Sequence, residues 1–149
     1  MSQNASSGAP EKILSRMRFL SVGLSVADVD ATAKWYMEQL GFEHVLTHNF
    51  EDYGVKATFL RYGDLSIELV QNDTIVKVQR PMPPNHNAVL GVSQLSIHVD
   101  DVEKAHEIAV AAGLPIVMDL APYPPIQTNA FFLEDPEGNI IEIFQAEWE

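Results

Sequence analysis

The chain has 149 residues, 46% of them apolar, which suits one compact domain with a real core, since single domains commonly run to roughly 100–150 residues. A formal charge of −12, from 21 acidic against 9 basic side chains, repels a phosphate backbone and argues against nucleic acid, while it favours a cationic ligand or a metal ion. The absence of cysteine rules out disulfides, thiolate metal sites and a cysteine nucleophile, and is compatible with a cytoplasmic setting; no segment reaches the ~20 apolar residues of a membrane helix.

Met1 to Pro10 is rich in Ser, Asn and Gly without a basic start or an apolar run, so it reads as a disordered tail and not as a signal peptide. The first strand is marked by Leu20, Val22, Leu24 and Val26 alternating with Ser21, Gly23 and Ser25, the period of two expected where one sheet face is packed. Asp28 then stands where a helix N-cap belongs, and Gly41 ends the helix that carries Trp35, Tyr36 and Leu40. Strands are expected over Glu43–Phe50, Val55–Tyr62 and Leu65–Gln71, separated by turns at Tyr53-Gly54 and Tyr62-Gly63-Asp64. Arg80 to Asn87, with Pro81, Pro83 and Pro84, reads as an extended linker.

The pattern then repeats. Leu20 to Val29 is echoed by Ser93 to Val102, and Ile67-Glu68-Leu69-Val70-Gln71 by Ile141-Glu142-Ile143-Phe144-Gln145, the spacing between motifs changing by a single residue. In the second copy Leu95, Ile97 and Val99 form the apolar face of the first strand, with Gln94, Ser96 and His98 on the other. Asp101 caps a helix whose stripe is Val102, Ala105, Ala109 and Ala112, ended by Gly113. Strands follow over Ile116–Met118, Ala130–Leu133 and Asn139–Phe144, with a proline-rich loop from Ala121 to Thr128 and a turn at Asp135-Pro136-Glu137-Gly138. The chain is therefore α+β, two tandem βαβββ modules forming a curved, cup-shaped mixed sheet in one structural domain: tail 1–16, first module 17–75, linker 76–90, second module 91–149.

Polar residues on the packed strands locate the candidate site. Ser21, Glu68, Gln94 and Glu142 come from the first and last strands of each copy, and two sheets curving toward each other as a pseudo-twofold pair would bring them into one concavity. The oxygens of Glu68, Gln94 and Glu142 suit a hard or borderline divalent ion, and a solvated strand face is the plain alternative for both glutamates. Ser21, as a weak neutral donor, is assigned to packing before ligation. His98, on the face of Gln94 and Ser96, is a candidate general base or substitute ligand, weighed against a polar core histidine. Phe59, Phe131 and Phe144 are candidates for an apolar pocket wall, whereas Trp35 and Tyr36 are assigned to the core. His44, His48, His86 and His106 receive no role, His106 being read as an ordinary surface residue.

Val26-Ala27-Asp28 leading into Trp35-Tyr36 and Leu40-Gly41-Phe42, followed by Asp135-Pro136-Glu137-Gly138-Asn139 and Ile141-Glu142, resembles the vicinal oxygen chelate superfamily, which includes glyoxalase I and the bleomycin-resistance proteins. The resemblance runs from about Arg18 to the C-terminus. It implies metal ligands at Ser21, Glu68, Gln94 and Glu142, a zinc, nickel, manganese or magnesium ion, and a homodimer whose clefts combine modules of two chains. It also implies departures: Ser21 and Gln94 stand where relatives usually carry His or Gln and His, which speaks against an iron dioxygenase, and Ser25 stands where some glyoxalases carry an arginine for the glutathione carboxylate. Three functional expectations follow. One is a lyase or isomerase acting next to the carbonyl of a small molecule with a divalent ion. Another is a metal-free protein that sequesters a cationic or aromatic small molecule. A third uses Glu68 and Glu142 as acid and base without a metal.

Overall fold

The structure is a computed structural model that describes residues 8–148. Of the expected tail, residues 1–7 lie outside the described residues, and Ile13–Arg16 forms a 3-10 turn. The first module runs β1 (Leu20–Ser25), α1 (Val29–Leu40), β2 (Glu43–Phe50), β3 (Val55–Tyr62) and β4 (Leu65–Asn72), and the second runs β5 (Leu95–His98), α2 (Val102–Ala111), β6 (Ile116–Tyr123), β7 (Thr128–Glu134) and β8 (Ile140–Ala146). Each module folds into a four-stranded mixed sheet, in the orders β1-β4-β3-β2 and β5-β8-β7-β6. The first and last strands of each module pair in parallel and the remaining pairs are antiparallel.

Alternation decides which face each helix covers. Leu24, Leu60, Ile67 and Leu69 turn toward α1, and Leu95, Phe131, Leu133, Ile141 and Ile143 toward α2; with Val29, Ala33, Tyr36, Val102 and Ala109 they form one core shared by both modules. Both helices begin alike. Asp28 accepts the Ala31 N–H and Asp101 the Lys104 N–H, each at 3.0 Å. A second acceptor comes from the last strand of the same module: the Gln71 side-chain oxygen takes the Val29 N–H at 2.9 Å, and that of Gln145 the Val102 N–H at 3.0 Å. The repeated glutamine thus ties each helix start to its sheet.

The turn Asp135–Asn139 staples the second module to the first. The Asp135 carboxylate is buried and accepts the Tyr36 hydroxyl at 2.8 Å, the Glu137 and Asn139 backbone N–H groups at 2.9 Å and the Asn139 side-chain amide at 2.8 Å. Four donors meet the charge where no described residue brings a cation, which is what a buried carboxylate requires. Burial first, and then the Asp135 charge and hydrogen bond, push the Tyr36 phenol far above its ordinary value, so it stays protonated. Glu137 reaches across to the start of α1, accepting the Asp28 N–H at 2.9 Å and the Thr32 hydroxyl at 3.3 Å.

Two segments depart from expectation. Strand β6 extends to Tyr123 through what reads in the sequence as a proline-rich loop, because it is an edge strand, where Pro122 removes no needed donor; only Pro124–Ile126 leaves the sheet, as a 3-10 turn. The linker is not extended throughout. Asn85–Ala88 folds into a 3-10 turn, clasped by Arg80, whose guanidinium donates to the carbonyls of His86 (2.6 Å), Val89 (3.2 Å) and Val92 (3.1 Å).

Candidate functional site

The faces turned away from the helices carry the candidate residues. On the first sheet, Glu68 lies beside Gly23 in β1 and opposite Phe59 in β3. On the second, Glu142 lies beside Ser96 in β5 and opposite Phe132 in β7. Both glutamates are half-buried, and among the described residues neither side-chain carboxylate has a hydrogen bond or an ion pair. A strand holds each carboxylate rigidly at the same register position of its module, beside an aromatic ring. Each carboxylate therefore stands free of protein partners, with its oxygens available to a ligand.

The other predicted residues distribute unevenly. The Ser21 hydroxyl donates to that of Ser66 at 3.2 Å, in keeping with a packing role. The Gln94 side-chain amide donates to the Ser96 hydroxyl at 3.0 Å, and its oxygen is engaged by His86. Ser25 and Gln94 line a cleft of about 390 Å³ with Gly23, Arg80, Asn139 and Ile140, between β1 and the starts of β5 and β8; Glu68 and Glu142 do not line it. His98 is exposed, not a core residue: its Nε2 accepts the Ala146 N–H at 3.2 Å, and its ring stacks on Phe144 at 5.0 Å and 12°. That nitrogen is therefore already occupied as an acceptor.

Phe131 is not a pocket wall. It is buried in the shared core on the α2 side, and its neighbour Phe132 takes the place opposite Glu142, since adjacent strand residues point to opposite faces. Phe59 and Phe144 do occupy the faces away from the helices, both half-buried. His106 is likewise no simple surface residue: it bonds Asp119 at 2.7 Å and sets its ring edge-on to Phe131 at 5.1 Å. Two residues were missed outright. Phe132 follows a residue of the same type, so only the register separates their roles, and His86 sits among prolines that read as linker, with no periodicity to show where its ring goes.

The donors of one chain do not fit a divalent ion as placed. Among the described residues no group of three His, Cys, Asp or Glu side chains comes together, and the two carboxylates belong to different sheets. The neutral donors Ser21 and Gln94 are already engaged.

Residues 18–143 match the model of the glyoxalase/bleomycin resistance protein/dioxygenase superfamily, which covers the whole repeat from β1 into β8. The chain belongs to this superfamily. Among its curated relatives, a probable lactoylglutathione lyase of Vibrio parahaemolyticus is 27% identical over 132 residues, covering 89% of this chain and 93% of that protein, and the lactoylglutathione lyase of Haemophilus influenzae is 29% identical over 133 residues, covering 87% and 93%. A solved glyoxalase family protein from Enterococcus faecalis superposes with a TM-score of 0.71 at 21% identity, covering 90% of this chain and all of that one, which supports the fold. Membership in the superfamily accounts for the paired βαβββ modules and for the resemblance carried by Val26-Ala27-Asp28 and Asp135-Pro136-Glu137-Gly138-Asn139. No helix among the described residues is long and apolar enough to cross a membrane.

Proposed function

We propose that this chain is a glyoxalase-like lyase or isomerase that moves a proton next to the carbonyl of a small molecule, with Glu68 and Glu142 as the groups that take and return it. The supporting observation is the pair of half-buried, unpartnered carboxylates at equivalent register positions of the two modules. One carboxylate removes the proton from the hydroxyl-bearing carbon beside the carbonyl, leaving an enediolate; the hydroxyl proton passes to the former carbonyl oxygen, and the carboxylic acid so formed returns its proton to the neighbouring carbon, so that hydroxyl and carbonyl exchange places. No bond is oxidised in net terms, and positioned acid–base groups of this kind contribute about 10²–10⁴-fold. Glutathione is not carried over from the named relatives. Ser25 is neutral, and Arg80 in the same cleft spends its guanidinium on three backbone carbonyls.

The zinc, nickel, manganese or magnesium ion of the resemblance requires donors that one chain does not assemble, so no step above passes through it. A homodimer that sets Glu68 of one copy against Glu142 of another is the arrangement that would bring the two carboxylates together, with Gln94 joining them only on release from His86. The exposure of β2 along its whole length, with Leu46 and Phe50 open on the face of Phe59, supports such pairing. A cytoplasmic setting is part of the same reading. The competing function, sequestration of an aromatic or cationic compound, draws support from the neighbouring rings of His98, Phe144 and Trp148 on the second module, of which the first two are stacked.

The deciding experiment follows proton exchange from D₂O into the carbon beside the carbonyl of α-hydroxycarbonyl substrates, with elemental analysis and sedimentation of the same preparation. Glu68→Gln and Glu142→Gln are each expected to lower the exchange rate about 10²–10⁴-fold without lowering Tm. Unchanged rates in both variants, or a wild type that binds aromatic cations and exchanges nothing, overturn the enzyme reading.

A further inference from the structure

Among the described residues, His86 is the one fully buried histidine, with only 4% of its surface exposed, and it comes from the linker and not from either module. Its ring stands edge-on to Phe132 at 5.6 Å, at the rim of an apolar cluster of Ala130, Phe132 and Ile140. Its Nε2 is bonded to the Gln94 side-chain oxygen. Because the Gln94 amide nitrogen already donates to Ser96, that oxygen is the acceptor, and the imidazole nitrogen facing it carries the hydrogen. The other ring nitrogen, Nδ1, is buried without a partner, and so is the hydroxyl of Tyr123, which packs against the same cluster. The closed state therefore leaves one acceptor and one donor unmet, which is unusual for buried groups.

We propose that the turn Asn85–Ala88 is a lid and that the pocket beneath it receives a small N–H heteroaromatic ring, for which His86 is the built-in stand-in. The recognition chemistry is what His86 uses: the Gln94 oxygen accepts a ring N–H, and the edge of Phe132 meets the ring. The lid is held by the Arg80 contact to the His86 carbonyl, with Val89 and Val92 anchored just beyond it, and by the bond of the His86 ring to Gln94; among the described residues no ion pair holds it, so it can lift without separating buried charges. The pocket adjoins the face of Glu142, yet the inference does not depend on any reaction there, and its test involves no turnover.

The probe is imidazole, titrated into the full-length wild type and the His86→Ala and Arg80→Gln variants, read by melting temperature and by the NMR signals of the Gln94 side-chain amide. His86→Ala is expected to melt lower, to recover most of the loss in millimolar imidazole, and to bind it at least tenfold more tightly than wild type. Thiophene, a ring of similar size without N–H, is expected to restore little. Adding Gln94→Leu to His86→Ala should abolish the response. A folded His86→Ala that ignores imidazole, or that answers equally to thiophene, overturns the proposal. Should His86→Ala fail to fold, Arg80→Gln decides: with the ring retained and the clasp loosened, it must bind imidazole several-fold more tightly than wild type, and equal binding overturns the lid.

Discussion

Replacing Tyr36 by phenylalanine removes a single oxygen, and the structure sets the size of the effect. The phenol and the Asp135 carboxylate are both buried, and their 2.8 Å bond joins the first module to the second. A hydrogen bond to a charged group contributes about 1.5–3 kcal/mol. Asp135 keeps three other donors, so the carboxylate is not orphaned and the loss belongs in the lower half of that range. For a chain of this size a loss of about 2 kcal/mol lowers Tm by roughly 4–8 °C, which urea titration and thermal melts at pH 7 both measure. The pH dependence is a second check. Folding raises the Tyr36 value, so its contribution is complete below the ordinary tyrosine range and is lost as pH rises above about 10, where the unfolded chain releases the proton that the folded chain keeps. Wild type should therefore lose stability on the alkaline side faster than Tyr36→Phe, and the gap between them should narrow. A difference under about 0.5 kcal/mol at pH 7, or a gap that stays constant from pH 8 to 11, refutes the assignment of this bond as a major link between the modules.

The repeated glutamines offer a test by symmetry: Gln71→Ala and Gln145→Ala should each cost about 1 kcal/mol in urea unfolding, since each removes an acceptor at a helix start, and the two values should agree closely. Asp119 tests the acid side. The Leu120 N–H first, and then the His106 hydrogen bond, hold its carboxyl below the usual range, so its contribution is present above roughly pH 4 and fades as pH falls further. Asp119→Asn should accordingly lower Tm slightly at pH 7, the effect being small because the group is exposed, and the gap from wild type should close in melts taken between pH 5 and 2.

Two strands of the first module, Glu43–Phe50 and Val55–Tyr62, are legible to the residue because they are bounded by residues that cannot continue a ladder: Gly41 takes φ +81° at the end of α1, and Gly54 takes φ +63° between β2 and β3. The full length of strand β6 is hidden in the sequence because a proline normally argues against a strand, and only the sheet order shows that Pro122 lies on an edge. The repeat located Glu68 and Glu142 at matching positions. It also contained Gln71 and Gln145, three residues further on in each copy, and the sharing of an amide at those places was a signal that could have been read as helix capping. What pattern alone could not supply was contact between distant segments: Tyr36 with Asp135, Asp28 with Glu137, and His86 with Gln94 are separated by turns whose paths no local periodicity encodes.

The staple at Asp135 and Glu137 bears on how the molecule can be divided. Each half has its own sheet and its own helix, yet Tyr36 from one half and Asp135 from the other complete a single buried polar centre, and the apolar interior is common to both. A chain cleaved in the linker would leave fragments that each expose an unfinished surface shaped for the other. Two separately expressed halves should therefore regain native structure on mixing, and neither should do so alone.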